Sequence, residues 1–247
     1  LDTGILTRVG DEAMGRFVRE TLDKEGVDTT AVQIDDKRLT ALVFLGVNPP
    51  DNFPLVFYRE NCADMAINPT QLTKELFAQY KSLLISGTHC STPHSFQTTK
   101  TAIKLAKATG CKIILDIDYR PVLWNVVPIG DGESREGHSA LFGRRIASLL
   151  ADCDLIVGTE EEILMASMQD SLSNAIHYLQ EMSSALLIQK RGKEGCMVHS
   201  PNTFTPLIAP AYKSKVLNVL GAGDAFMSGF LRGWLKDYSL EDCCRFA

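Results

Sequence analysis

The chain has 247 residues, 45% hydrophobic and 22% charged, with a formal net charge of −5. That is enough apolar material for one sizeable α/β core, and the acidic balance excludes the basic face a nucleic-acid binder needs. No run approaches the roughly 18 apolar residues of a membrane span. Seven cysteines, an odd count with no Cys-x-x-Cys, argue for reduced thiols in a cytoplasmic setting rather than a disulfide framework or a zinc site.

The chain opens without Met on a stretch that reads as a strand, and it closes inside a helical pattern, Leu240, Cys243, Cys244 and Ala247, with no capping signal. Segments are therefore expected beyond both ends. Residues 39–47 and Leu55–Tyr58 read as two strands joined by the turn Asn48-Pro49-Pro50-Asp51-Asn52, with no helix between them. They are expected to pair antiparallel, apart from the main sheet, so that residues 32–60 contribute a small β-lid over its C-terminal edge. Strands are then predicted at 83–86, Lys112–Asp116, 155–157 and 186–189, interleaved with helices at 71–80, 95–108, 139–151, 160–167 and 171–182. This alternation of short apolar runs with amphipathic segments predicts a parallel sheet covered by helices.

The segment Asn218-Val219-Leu220-Gly221-Ala222-Gly223-Asp224-Ala225-Phe226 carries the most chemistry. An apolar stretch ends in Gly-Ala-Gly, and a helix follows with Phe226, Phe230 and Trp234 on one side. Two glycines let main-chain N–H groups converge without Cβ obstruction, and a helix N-terminus adds partial positive charge. A transferring phosphoryl group suits that cradle. Asp224 beside it can accept a proton from an alcohol, which phosphoryl transfer also requires; the plain alternative is a carboxylate complementing the helix dipole. A dinucleotide fingerprint would want glycine at 226, where the chain has Phe, and no P-loop pattern occurs.

Gly221-Ala222-Gly223-Asp224 resembles the C-terminal signature of the ribokinase-like (PfkB) carbohydrate kinases, and further segments match in order. Val9-Gly10-Asp11 with Gly15, Leu22 and Gly26-Val27-Asp28 resembles the family's early region. Asp116 to Trp124 is similar to its Asp-x-Asn-x-Arg-Pro-x-Leu-Trp segment, Asp154 to Glu162 lies where it carries Asn-x-x-Glu, and Gly192-Lys193-Glu194-Gly195 matches its Gly-x-x-Gly. Three departures are Asn218-Val219 for Asp-Thr, Thr159 for Asn, and Asp118 for a common Asn. The family's N-terminal Gly-Gly motif, its substrate-binding Asp and its late adenine-binding stretch have no counterpart here. Val56 to Asp64, Val157 to Glu162 and Leu217 to Asp224 are most similar to the branch acting on 5-dehydro-2-deoxygluconate in inositol catabolism, with kinases of 2-keto-3-deoxygluconate as near alternatives.

The resemblance implies one ribokinase-like domain over 1–247, a three-layer α/β/α sandwich with a small β-lid, whose strands in this family often pair between subunits of a homodimer. It implies phosphorylation of a sugar or sugar-acid hydroxyl by ATP with Mg²⁺, and K⁺ as a further cation to consider; a catalytically silent binding protein is the alternative from another class. Asp224 becomes the base, with the Gly221, Ala222 and Gly223 amides and Arg120 holding the developing charge. Lys190, Gly192, Gly195 and Thr159 fall near the nucleotide, Glu162 orders Mg²⁺, and Arg59 at the end of the second lid strand reaches the substrate. Each has a plainer reading: an ion pair to Asp116 or Asp118 for Arg120, a hairpin turn for Gly192–Gly195, a solvated acidic helix start for Glu162, and a solvated lid charge for Arg59. The histidines at 89, 94, 138, 177 and 199 show no ligand spacing and receive no chemistry.

Overall fold

The computed structural model describes residues 1–47, 54–201, 203, 205–216 and 219–247. Strands β1 (Thr7–Gly10) and β2 (Val32–Asp35), with helix α1 (Ala13–Lys24) between them in sequence, pair in parallel from Thr7 opposite Val32 to Gly10 opposite Asp35. Strands β3 (Leu42–Leu45) and β4 (Leu55–Tyr58) form a separate antiparallel pair, as expected for the lid. The predicted turn at 48–52 lies outside the described residues. Strand β3 is shorter than the predicted 39–47 because the preceding backbone is diverted. The Leu39 carbonyl accepts from the Ala63 N–H, and the Thr40 N–H donates to Glu12 Oε1.

After the short helix α2 (Lys74–Phe77) the chain builds β5 (Ser82–Ser86), α3 (Pro93–Lys107), β6 (Lys112–Asp116), α4 (Ala140–Ala147), β7 (Leu155–Thr159), α5 (Glu160–Ser167) and α6 (Leu172–Met182). It continues with β8 (Leu186–Lys190), β9 (Cys196–His199), β10 (Leu207–Ala209), α7 (Ala222–Trp234) and α8 (Leu240–Phe246). The main sheet runs β10-β9-β8-β7-β6-β5. Strands β5 to β8 are parallel, as expected, while β9 and β10 return antiparallel, so the sheet is mixed.

Side-chain alternation along β6 explains the layers. Ile113 and Leu115 face one side and Ile114 the other, and all three are fully buried. The first side continues through Ile156 and Leu187 and packs on Ile103, Phe142, Ile146, Ile163 and Leu179 from α3 to α6. The second continues through Leu155, Val157 and Ile188 and packs on Met227, Phe230 and Cys243 from α7 and α8. Helices therefore cover both faces, which is why these strands read as unbroken apolar runs. All seven cysteines are free and buried. No described helix is long and apolar enough to cross a membrane.

The turn from β8 to β9 depends on one backbone conformation. Gly195 sits at φ +89°, and a Cβ there would lie 2.0 Å from the Ala209 carbonyl oxygen. Gly195→Ala should destabilise the fold by at least about 1–3 kcal/mol, from positive-φ strain alone before the backbone clash is added. Urea titration checks this, and an unchanged midpoint would contradict it.

Candidate active site

Sheet periodicity carries three polar side chains to one place. Asp116, Thr159 and Lys190 each lie two residues beyond an apolar side chain, Ile114, Val157 and Ile188, that faces α7 and α8. The strands are neighbours in register, with Asp116 opposite Val157 and Thr159 opposite Lys190. The three residues therefore share the α7 face at the C-terminal ends of parallel strands, where open α/β sheets bind ligands.

Helix α5 starts directly after β7, and its start adds a carboxylate. Thr159 is its N-cap: its Oγ1 accepts from the Glu162 N–H at 3.3 Å, and Glu162 Oε2 accepts from the Thr159 N–H at 2.8 Å. This reciprocal cap turns Glu162 inward, where it is buried, while its neighbour Glu161 stays exposed. The solvated-helix-start reading therefore fails for Glu162. Lys190 Nζ then stands 3.3 Å from Asp116 Oδ1 and 3.7 Å from Glu162 Oε2. A Cβ on Gly223 would lie 3.6 Å from the same Nζ. One ammonium thus joins two carboxylates to the glycine turn that opens α7.

That turn has the shape its sequence demands. Gly221 caps α7 in the left-handed region at φ +74°, where glycine has no steric penalty. The Ala222 N–H donates to the Val219 carbonyl at 3.2 Å, so this amide is already engaged within the turn. Asp224 lies in the first turn of α7, exposed, with no hydrogen bond to its carboxylate from the described residues; its main-chain carbonyl accepts from Ser228 Oγ at 2.8 Å. The predicted base is therefore open to solvent and one residue from Gly223. Asn218 lies outside the described residues.

The remaining predicted residues make firmer local contacts than the sequence suggests. Arg120 donates from Nε to Asp118 Oδ1 at 2.8 Å, the plainer of its two readings. Asp118 adopts φ +37° and accepts from Ser86 Oγ at 2.9 Å, which ties Arg120 to the end of β5. Gly192 (φ +55°) and Gly195 close a tight turn in which the Arg191 N–H donates to the Gly195 carbonyl at 2.8 Å. Arg59 donates from Nε to Asp64 Oδ2 at 2.5 Å and is largely buried, so it is not a solvated lid charge. Neither Arg59 nor Arg120 uses its Nη atoms in a hydrogen bond to a described residue.

Three contributors escape sequence reasoning: Asp116, Asp64 and His89. The Nε2 of His89 is shut off from solvent and has no hydrogen-bond partner among the described residues, and Asp64 Oδ1 is in the same state. Burial pushes the His89 pKa down, and the nearby Arg59 pushes it further, against Asp64 and Asp118. Burial and Arg59 thus favour the neutral ring of His89, with Asp64 and Asp118 also close enough to act on it. Only Asp116 had a signal in the sequence, an acid ending an apolar strand at the ligand-binding edge.

Among the described residues, no group of three or more His, Cys, Asp or Glu gathers as a metal centre. Asp116 and Glu162 nevertheless form an all-oxygen donor pair, and Asp116 Oδ2 and Glu162 Oε1 accept no hydrogen bond from the described residues. Two carboxylates completed by water and phosphate suit Mg²⁺. Burial raises the Asp116 carboxyl to about 6, with Lys190 opposing and Glu162 and Asp118 reinforcing the rise. Lys190 itself sits above its ordinary range: burial works against its charge, but Asp116 and Glu162 outweigh it. Between about pH 4 and 6 the folded protein therefore holds a proton on Asp116 that the unfolded chain, with an ordinary value of 3.8, releases, and above that range Asp116 is ionised in both. Measured against Asp116→Asn by chemical denaturation, wild-type stability should fall as pH rises from about 4 to 6, and parallel profiles would contradict this.

The comparisons place the chain in a family and a fold. The model of the pfkB family carbohydrate kinases matches residues 1–247. The 5-dehydro-2-deoxygluconokinase of Shouchella clausii is 31% identical over 250 residues, covering all of this chain and 72% of that protein. The Bacillus subtilis enzyme of the same name is 29% identical, covering all of this chain and 73% of its own. Among solved structures, the E. coli protein assigned as ribokinase II, bound to ATP and Mg²⁺, superimposes with a TM-score of 0.85 at 19% identity, covering 99% of this chain and 74% of that one. The fructokinase of Vibrio cholerae, bound to fructose, ADP and calcium, gives 0.81 at 20% identity, with 99% and 76% covered. With the family model matching this chain over residues 1–247, and with the glycine turn, its aspartate and the layered sheet in place, the chain belongs to the pfkB family of carbohydrate kinases.

Proposed function

We propose that this kinase transfers the γ-phosphoryl group of ATP to a hydroxyl of a sugar acid, 5-dehydro-2-deoxygluconate, with Asp224 as the base. The observation that carries the reading is the exposed Asp224 carboxylate in the same helical turn as Gly223, whose Cβ position lies 3.6 Å from Lys190 Nζ. Asp224 takes the proton of the acceptor hydroxyl as that oxygen bonds to the γ-phosphorus and the bond to the ADP oxygen breaks. The proton leaves with solvent exchange at Asp224 after the sugar phosphate departs. The N-terminus of α7, opened by Gly221 and Gly223, holds charge on the transferring group. Asp116 and Glu162 would hold Mg²⁺, which when bound neutralises charge on the β- and γ-phosphates.

The choice of acceptor draws on the names of the sequence relatives and on the Arg59 and Arg120 guanidiniums, whose uncommitted Nη donors match a carboxylate in fork geometry. Residues 32–60 act as a lid of the single domain, excluding water from the transfer. Exposed Leu42, Val43, Phe44 and Tyr58 on β3 and β4 support pairing of that lid with a second copy.

ATP consumption that depends on added 5-dehydro-2-deoxygluconate, and less on 2-keto-3-deoxygluconate or fructose, is the expected outcome of a coupled ADP assay. Asp224→Asn should lower turnover by about 10²–10⁴-fold, the usual contribution of a general base, while ATP binding by calorimetry stays near wild type. Full turnover in that variant would remove Asp224 from its role.

A further inference from the structure

Lys190 is larger in the geometry than a nucleotide contact explains. Its ammonium lies within 3.7 Å of oxygens from both carboxylates that would hold a divalent cation, and it faces Gly223, where a Cβ would stand 3.6 Å away. The three side chains are mostly buried, so their charges are poorly shared with water. Two carboxylates at one place repel each other unless a cation stands with them, and in this structure that cation is the ammonium.

We propose that Lys190 is the resident cation of the divalent site, holding Asp116 and Glu162 until nucleotide phosphates at the Gly221–Gly223 turn draw its charge away and leave both carboxylates to Mg²⁺. The inference rests on the phosphoryl-transfer reading and adds an order to it. A divalent ion entering beside the ammonium is repelled. Phosphate arriving at Gly223 meets Nζ without a large movement, because the ammonium lies 3.6 Å from where a Cβ on Gly223 would stand. A compact ammonium on a flexible four-carbon stem can change partners in this way, where a guanidinium locked in a planar fork cannot. Metal and nucleotide affinities are then coupled, and linkage makes the coupling equal in both directions.

The test titrates nucleotide-free protein with Mn²⁺, read by electron paramagnetic resonance, so that no turnover is needed. Wild type should bind weakly, and Lys190→Met at least ten-fold more tightly. Lys190→Arg, which keeps a cation in place, should stay like wild type. The double variant Lys190→Met/Asp116→Asn should lose the gain, which locates the ion. With a non-hydrolysable ATP analogue, wild-type Mn²⁺ affinity should rise at least ten-fold and that of Lys190→Met by clearly less. Should Lys190→Met fail to give a cooperative thermal melt, Lys190→Gln carries the same expectation. Equal Mn²⁺ affinity in nucleotide-free wild type and either neutral variant overturns the proposal. Failure of the phosphoryl-transfer reading would show separately, as wild-type protein that consumes no ATP with any sugar acid.

Discussion

One ammonium set between two carboxylates organises the C-terminal edge of the sheet. Lys190 ends β8, Asp116 ends β6, and Glu162 is turned back toward them by the cap that starts α5 after β7. At 3.3 Å and an effective dielectric of about 20, the Lys190–Asp116 attraction is about 5 kcal/mol gross. Desolvation costs several kcal/mol per buried ion, so the net gain in stability is small. A chain under selection for stability alone would do as well with apolar residues here, since Ile114, Val157 and Ile188 one step back on the same strands pack without difficulty. The cluster therefore reads as a charge arrangement kept for a ligand.

The fold was legible wherever local signals agreed. Helix α5 falls on its predicted residues because Thr159 and Glu162 form a capping box, and β6 does so because an apolar run is bounded by charged residues. The predicted helix at 71–80 shrinks to Lys74–Phe77, since Pro69–Gln71 forms a 3₁₀ turn and Thr73 caps the helix late. The predicted 139–151 stops at Ala147, with Leu150–Asp152 in another 3₁₀ turn. The antiparallel return of β9 had one local signal, the hairpin reading of Gly192–Gly195, while the pairing of β10 had none. Pairing direction is a tertiary choice that an apolar run does not encode.

For the site, glycine spacing was enough to single out the turn before α7, because its conformation is a local property of Gly221. Ion-pair partners were not legible. Whether Arg120 meets Asp116 or Asp118 depends on the left-handed backbone at Asp118 and on Ser86 from another strand. Arg59 and Asp64 are close in sequence, yet their burial comes from elements that only tertiary packing brings over them. Asp116 could be read only as an acid ending an apolar strand; its pairing with Lys190 and the burial that raises its carboxyl to about 6 belong to the tertiary structure.

Two charge environments therefore lie side by side at the sheet edge, and they suit the two ends of a phosphoryl transfer. Around Lys190 the carboxylates outnumber the ammonium, leaving net negative charge that a divalent cation completes. Around His89 each guanidinium is matched by one aspartate and the ring is neutral, so that region carries no net charge but keeps N–H donors on Arg59 and Arg120. Under the proposed function, an anionic acceptor would find directional donors there without a strong positive field that would also trap free phosphate or ADP. Asp224, exposed at the start of α7, follows Gly223, which faces the Lys190 ammonium across the space a Cβ would fill. Separating the carboxylate cluster from the guanidinium donors lets each be tuned by its own neighbours, which is what the proposed function asks of one sheet edge that would bind two anions and bring them together.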